Sequence, residues 1–246
     1  MNKTKIEWCG YTINPVKGLC PMACSYCYAR AMYKRFKWNP EIRYNYFGWD
    51  NLPTKPSRIF VGSTIELFGE WIEPQWLTHI FKMVETNKMH TFIFLTKQPQ
   101  NLIKWSPFPD NCWVGVTITD LLDREGKTPL RPMLDIEAKV KFISFEPLLN
   151  SGDGSRPDAL AKAFQLAGIN WVIIGAQSPY SKKTFPKWEW VREIIEACDK
   201  TSIPIFLKDN LRLLRLSCEG GIPFYKHHPS GTMELRQEFP VDTPNP

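Results

Sequence analysis

The chain has 246 residues, 43% of them apolar and 23% charged, with a formal net charge of +6. That length supports one large core, up to a single α/β barrel, and no apolar run approaches the ~20 residues that span a bilayer, which excludes a membrane-spanning helix. The mild positive excess permits a nucleic-acid or phosphorylated substrate without establishing one.

Residues 1–7 hold no apolar stretch of the kind a secretory leader needs, so a reducing, cytoplasmic setting is expected. A first β-branched run, 11–14, leads through Asn14-Pro15 into Cys20-Pro-Met-Ala-Cys24-Ser-Tyr26-Cys27. A helix is predicted over 28–37, directly after the third cysteine. Its Arg30, Lys34, Arg35 and Lys37 read either as a solvated face or as a basic patch. The connection 32–57 is rich in Trp, Tyr and Pro and reads as a lid or substrate-facing insertion.

Further runs rich in β-branched and aromatic residues recur at 59–63, 92–95, 113–118, 140–145, 171–175 and 203–207. Several are apolar on both faces, as buried parallel strands are. Between them lie amphipathic helical patterns. Pro74 opens one that carries Trp76, Leu77, Ile80, Phe81 and Val84. Leu160, Ala163, Phe164 and Ala167 mark a second, closed by Gly168, and Trp190, Val191, Ile194, Ile195 and Cys198 mark a third. Strand–helix alternation predicts an α/β fold. The expected form is a partial (β/α) TIM-type barrel of six to seven parallel strands over residues 1–216, with a capping extension over 217–246.

The cysteine loop carries the most chemistry. Three thiolates spaced C-x3-C-x2-C can hold three irons of a cubane [4Fe–4S] cluster and leave the fourth open, whereas electron-transfer cubanes usually take four cysteines. A structural zinc site with Cys9 or a histidine as fourth ligand is an alternative, although no second paired hook follows. Cys9, Cys112, Cys198 and Cys218 are scattered, and the odd total of seven argues against a disulfide framework. His227-His228 has no interpretable partner spacing.

In a parallel barrel the catalytic groups come from the C-terminal ends of strands. Those ends here read Asn14, Ser63 to Glu66, Lys97, Thr117 to Asp120, Glu146, Gly175 to Gln177 and Lys208. Lys97, Glu146 and Lys208 each follow a largely apolar run and are expected to face the barrel mouth with Gln177 and the cysteines. Two cations and a carboxylate there suit a charged cofactor and an anionic substrate.

The cysteine spacing, with Tyr26 before the last cysteine, resembles the radical SAM superfamily. The resemblance implies that Cys20, Cys24 and Cys27 ligate the cluster and that the open iron chelates S-adenosylmethionine. Members usually carry Gly-Gly-Glu after the second strand. This chain instead has Ser63-Thr64-Ile65-Glu66, so Ser63 or Glu66 would take over the methionine contact. By the same resemblance Tyr26 flanks the cofactor, Thr117 or Thr119 holds the ribose, and Gly175 and Gln177 line the adenine.

A closer likeness runs through Thr12-Ile-Asn14-Pro15-Val16 with Gly18, Phe94-Leu-Thr96-Lys97 and Ser144-Phe-Glu146-Pro-Leu-Leu149. It continues in Ile173-Ile-Gly175 and Leu235-Arg-Gln-Glu-Phe-Pro240. These resemble a phage and bacterial family of radical-SAM-like proteins of unknown reaction, similar in pattern to spore photoproduct lyase. By that pattern Cys218 reads as a hydrogen-atom donor or as a structural thiol. The expected activity is reductive cleavage of S-adenosylmethionine and hydrogen abstraction from a substrate, with a nucleobase or nucleotide as the substrate class. An external donor such as flavodoxin or ferredoxin would supply the electron. Trp38 and Trp49 are candidates to stack on a base. The rival reading is a metal-stabilised nucleic-acid-binding or accessory protein that keeps the fold without radical chemistry.

Overall fold

All seven sequence runs form strands, because β-branched and aromatic residues that are apolar on both faces bury well between helices and sheet. In the computed structural model, which describes residues 1–121, 130–217, 225–227 and 233–240, the chain opens with β1 (Asn2–Lys3), β2 (Tyr11–Ile13) and β3 (Val16–Lys17). Then come α1 (Tyr28–Phe36), β4 (Arg43–Tyr44), β5 (Arg58–Val61), α2 (Pro74–Thr86), β6 (Thr91–Thr96) and β7 (Cys112–Thr117). The second half holds β8 (Val140–Phe145), α3 (Pro157–Leu166), β9 (Trp171–Ile174), α4 (Trp188–Thr201) and β10 (Ile205–Leu207). A hairpin of β11 (Tyr225–His227) and β12 (Met233–Leu235) follows.

The main sheet has eight strands in the order β1-β2-β5-β6-β7-β8-β9-β10. The pairs β2–β5, β5–β6, β8–β9 and β9–β10 are parallel, and β1 joins β2 antiparallel. This is an α/β fold with a mostly parallel sheet, consistent with the expected partial barrel.

The chain divides into two compact units. The first comprises Met1–Gly115 with Ile136–Lys139, and the second Val116–Asp135 with Val140–Thr243. In the first, Pro74 sits at the start of α2, where its missing N–H leaves nothing unsatisfied. Leu77, Ile80, Phe81 and Val84 of α2 are buried, and Phe81 meets Phe94 of β6 with ring centroids 5.4 Å apart. Burial of each such side chain contributes about 1.5–3 kcal/mol. Gly62 ends β5 with φ +80, and a Cβ there would sit 2.4 Å from Leu67, so only glycine lets its N–H reach the Ile13 carbonyl at 2.8 Å. Trp49 is 5% exposed with its ring 5.9 Å from Phe92. It belongs to the core and is not free to stack on a base. Trp38, at 42%, is exposed.

In the second unit α3 packs on α4. Trp171 is fully buried among Phe142, Phe206 and Phe239, at 5.4, 6.2 and 5.5 Å between ring centroids. The segment after β12 runs beside β10. Leu207 N donates to Arg236 O (2.8 Å), Glu238 N to Ile205 O (2.9 Å), and Phe206 and Gln237 form an antiparallel bridge. Arg236 binds Asp199 at 2.8 Å and Glu238 at 3.0 Å. Cys198 is buried in α4, as its place in the apolar stripe predicts. Much of the expected extension 217–246, with Cys218 and His228, lies outside the described residues.

Candidate functional site

In the first unit, the residues past β2, β5 and β6 form two hydrogen-bonded sets, one around Asn14 and one around Glu66. The Asn14 amide exchanges bonds with the Ser63 hydroxyl at 3.2 Å, and its oxygen also accepts from the Thr64 N–H and hydroxyl, both at 3.2 Å. Tyr28, the first residue of α1, donates its hydroxyl to the Ser63 carbonyl at 2.8 Å. Glu66 is buried. Its Oε1 accepts from Thr96 Oγ1 (2.7 Å) and Phe68 N (3.1 Å), and its Oε2 from Lys97 N (2.7 Å). Bonds from neutral donors to a charged acceptor are shorter and stronger than neutral ones. The carboxylate therefore pins the end of β6. Lys97, so placed, holds its ammonium 6.0 Å from the centroid of the Tyr26 ring, within cation–π range.

The same Glu66 reaches the cysteine loop, where its N–H donates to Cys20 Sγ at 3.4 Å. Burial pushes the Cys20 thiol up, the N–H groups of Glu66 and Met22 pull it down, and the Glu66 and Cys27 charges push it up again. Arg30 donates to the Cys20 carbonyl at 2.6 Å. Cys27 caps α1, its Sγ accepting from Arg30 N at 3.5 Å. Cys24 and Cys27 line an open cavity of about 590 Å³ with Arg30, Tyr33, Lys34 and Trp38.

Cys20, Cys24 and Cys27 are free and half-buried, whereas Cys9, Cys112 and Cys198 are buried. Desolvation pushes the Cys112 and Cys198 thiols far up, which leaves them inert. Among the described residues, no group of three or more His, Cys, Asp and Glu side chains is placed to hold a metal ion. The three loop thiols remain accessible, and two of them, Cys20 and Cys27, accept backbone N–H bonds.

In the second unit, Glu146 after β8 and Lys208 after β10 form an ion pair, Lys208 being buried. Gly175, after β9, lies under both. A Cβ there would stand 2.9 Å from Lys208 Cδ and 3.3 Å from Glu146 Cγ, so a bare backbone is what lets the pair cross this point. Asn210 secures the next residue, accepting from Ala176 N at 3.0 Å and donating to Ala176 O at 2.8 Å. Gln177 accepts from Thr184 Oγ1 at 2.8 Å. Thr117 is buried at the end of β7, and the Thr119 carbonyl accepts from Leu149 N (2.8 Å) and Asn150 N (3.2 Å).

A family model described as a protein of unknown function, DUF5131, matches residues 3–213. The chain belongs to the DUF5131 family. No curated protein matches it. Among solved structures, this DUF5131 chain is similar to a mutant of spore photoproduct lyase with bound AdoMet and dinucleoside spore photoproduct. Identity there is 14% and the TM-score 0.53, covering 98% of this chain and 71% of the other. Spore photoproduct lyase complexed with dinucleoside spore photoproduct is 13% identical at a TM-score of 0.54, covering 96% and 70%. At such identities the likeness shows the fold alone.

The structure thus links Cys20, Glu66, Lys97 and Tyr26 within the first unit of the DUF5131 chain, while Ser63 is held by Asn14 and Tyr28. It pairs Glu146 with Lys208 over Gly175 in the second. Among the groups that fasten these residues, sequence reasoning missed Asn210 and Thr184 and gave Thr96 no role of its own. Thr96 and Asn210 adjoin strand ends already singled out, and that adjacency was the available signal.

Proposed function

We propose that this DUF5131 protein is a radical SAM enzyme. One observation carries the reading: three free, accessible thiols spaced C-x3-C-x2-C follow the first parallel strand of a fold shared with structures that include an AdoMet complex. Cys20, Cys24 and Cys27 would hold a [4Fe–4S] cluster. When bound, the cluster would supply one electron for reductive cleavage of S-adenosylmethionine, the chemistry by which hydrogen would be abstracted from the substrate.

The chain's own residues bind and orient. The Ser63 hydroxyl and the Tyr26 ring are the assigned contacts for the methionine portion. Glu66, with three acceptor bonds already made, positions Lys97 and the Cys20 sulfur. Thr117 or Thr119 is assigned to the ribose, and Gly175 and Gln177 to the adenine. Lys97, Glu146 and Lys208 are assigned to the substrate, with a nucleobase or nucleotide as its class. The electron donor is taken to be a flavodoxin or ferredoxin in a cytoplasmic setting.

A second reading, a metal-stabilised nucleic-acid-binding or accessory protein, is favoured by the engagement of Glu66 in bonds within the protein. Anaerobic reconstitution decides between the two. The enzyme should take up about four irons per chain and release 5′-deoxyadenosine with S-adenosylmethionine and dithionite. Cys20→Ser, Cys24→Ser or Cys27→Ser should each abolish both, while Cys112→Ala should abolish neither. Stoichiometric zinc after anaerobic isolation would overturn the proposal.

A further inference from the structure

The loop that follows β9 is charged in one sense only. Residues 176–188 contain Lys182, Lys183 and Lys187 and no carboxylate. All three lysines are exposed; Lys187 lies over the Trp190 ring at 5.1 Å, and neither Lys182 nor Lys183 has an ion-pair partner among the described residues. Tyr180 is 60% exposed, although its ring rests on Phe185 at 5.5 Å.

The loop is also held in place. Thr184 ties it to Gln177, Asn210 grips Ala176 and donates to Ser178 Oγ at 3.4 Å, Thr184 N donates to Ser181 O at 3.2 Å, and Pro186 is buried. It leaves the C-terminal end of a parallel strand, beside Gly175 and the Glu146–Lys208 pair, where this class of fold places substrate contacts.

Lys182 and Lys183 on this fixed loop, with Lys187 over the Trp190 ring, attract a polyanion, and an exposed phenol ring offers a stacking platform. We infer that residues 178–187 bind single-stranded nucleic acid, the lysines meeting phosphates and Tyr180 stacking on an unpaired base. The inference rests on the nucleic-acid class named in the proposed function and assigns it a surface. Base stacking is blocked in a duplex, so single strands are the favoured form.

Anisotropy titrations of labelled single-stranded DNA, single-stranded RNA and duplex DNA at several salt concentrations test it. The wild type should prefer single strands, and its affinity should fall with salt. Lys182→Ala/Lys183→Ala/Lys187→Ala should weaken binding about tenfold or more at low salt and flatten the log–log salt slope by about 2, at roughly 0.7 per phosphate contact. Tyr180→Ala should weaken single-strand binding about fivefold or more at an unchanged slope. Lys82→Ala/Lys88→Ala/Lys104→Ala, which removes as many exposed charges elsewhere, should bind as the wild type does.

Wild-type affinity and slope in the loop triple variant would overturn the inference. So would an equal loss in the control variant, or competition by polyglutamate as effective as by single strands. Deoxyadenosine production measured in parallel separates the two claims. Production without nucleic-acid binding sinks the loop assignment alone, and lysine-dependent binding without production sinks the radical chemistry alone.

Discussion

The two units each bring a glutamate to the ends of parallel strands, and they use it in opposite ways. Glu66 is buried and spends its oxygens on Thr96, Phe68 and the Lys97 backbone, so its charge is absorbed by fixed donors. Glu146 faces a single ammonium, that of Lys208, across a glycine. A carboxylate locked by backbone N–H groups can hold geometry but has little left to offer a ligand. One paired with a lysine can exchange that partner for a substrate charge or a proton. The first arrangement is a brace and the second is an ion pair with one partner on each side.

The sharpest way to break this contrast is Glu66→Ala. It strips acceptors from three donors at once and should lower the unfolding free energy by about 3–5 kcal/mol in urea titration, each orphaned group costing about 1–3 kcal/mol. Glu66→Gln should recover part of that loss, because its carbonyl oxygen still serves Thr96 while its amide opposes the Lys97 N–H. Full stability in the alanine variant would remove Glu66 from its bracing role.

The pair in the second unit should respond differently. Glu146→Gln or Lys208→Met alone should destabilise by about 1–3 kcal/mol, because each leaves a desolvated partner. The double variant should return to within about 1 kcal/mol of wild type while losing activity, since a largely desolvated pair adds little net stability over apolar or neutral replacements. Equal loss in the double variant would make this pair structural, like Glu66.

Gly175→Ala should cost about 1–2 kcal/mol by crowding Lys208. Combined with Lys208→Ala, the penalty should shrink, a coupling visible in a double-mutant cycle of thermal unfolding. Additive losses would mean that the glycine serves something other than the pair. The smallest effect belongs to Tyr28→Phe. Loss of its bond to the Ser63 carbonyl should cost about 0.5–1.5 kcal/mol, with a larger fractional effect on cofactor affinity if Ser63 serves as assigned.

Most of the fold was legible because two periodicities carry it. The seven buried runs and the stripes of α2, α3 and α4 are written in apolar residues whose spacing alone dictates burial. Lys97, Glu146 and Lys208 were legible as charges closing apolar runs. Their partners were not, because hydrogen bonds such as Glu66 to Thr96 or Lys208 to Glu146 join residues 30 and 62 positions apart. Trp49 shows the complementary failure. A tryptophan in a polar, aromatic connection reads as exposed, yet the loop folds it onto Phe92. The 178–187 loop escaped notice because three lysines among prolines and serines look like ordinary solvated chain until their shared exposure and fixed position are seen together.

The stretch 235–239 has a consequence for life in a crowded solution. The last parallel strand, β10, would otherwise present a row of bare N–H and C=O groups, which is a template for pairing with another copy. Arg236 O and Glu238 N occupy two of those positions, and the Arg236 ion pairs with Asp199 and Glu238 clamp the cover in place. A chain ending before residue 235 would keep its cysteine loop but expose that margin and lose the Phe239 ring from beside Trp171. Its first visible defect would be concentration-dependent association, detected by light scattering before any loss of helical signal.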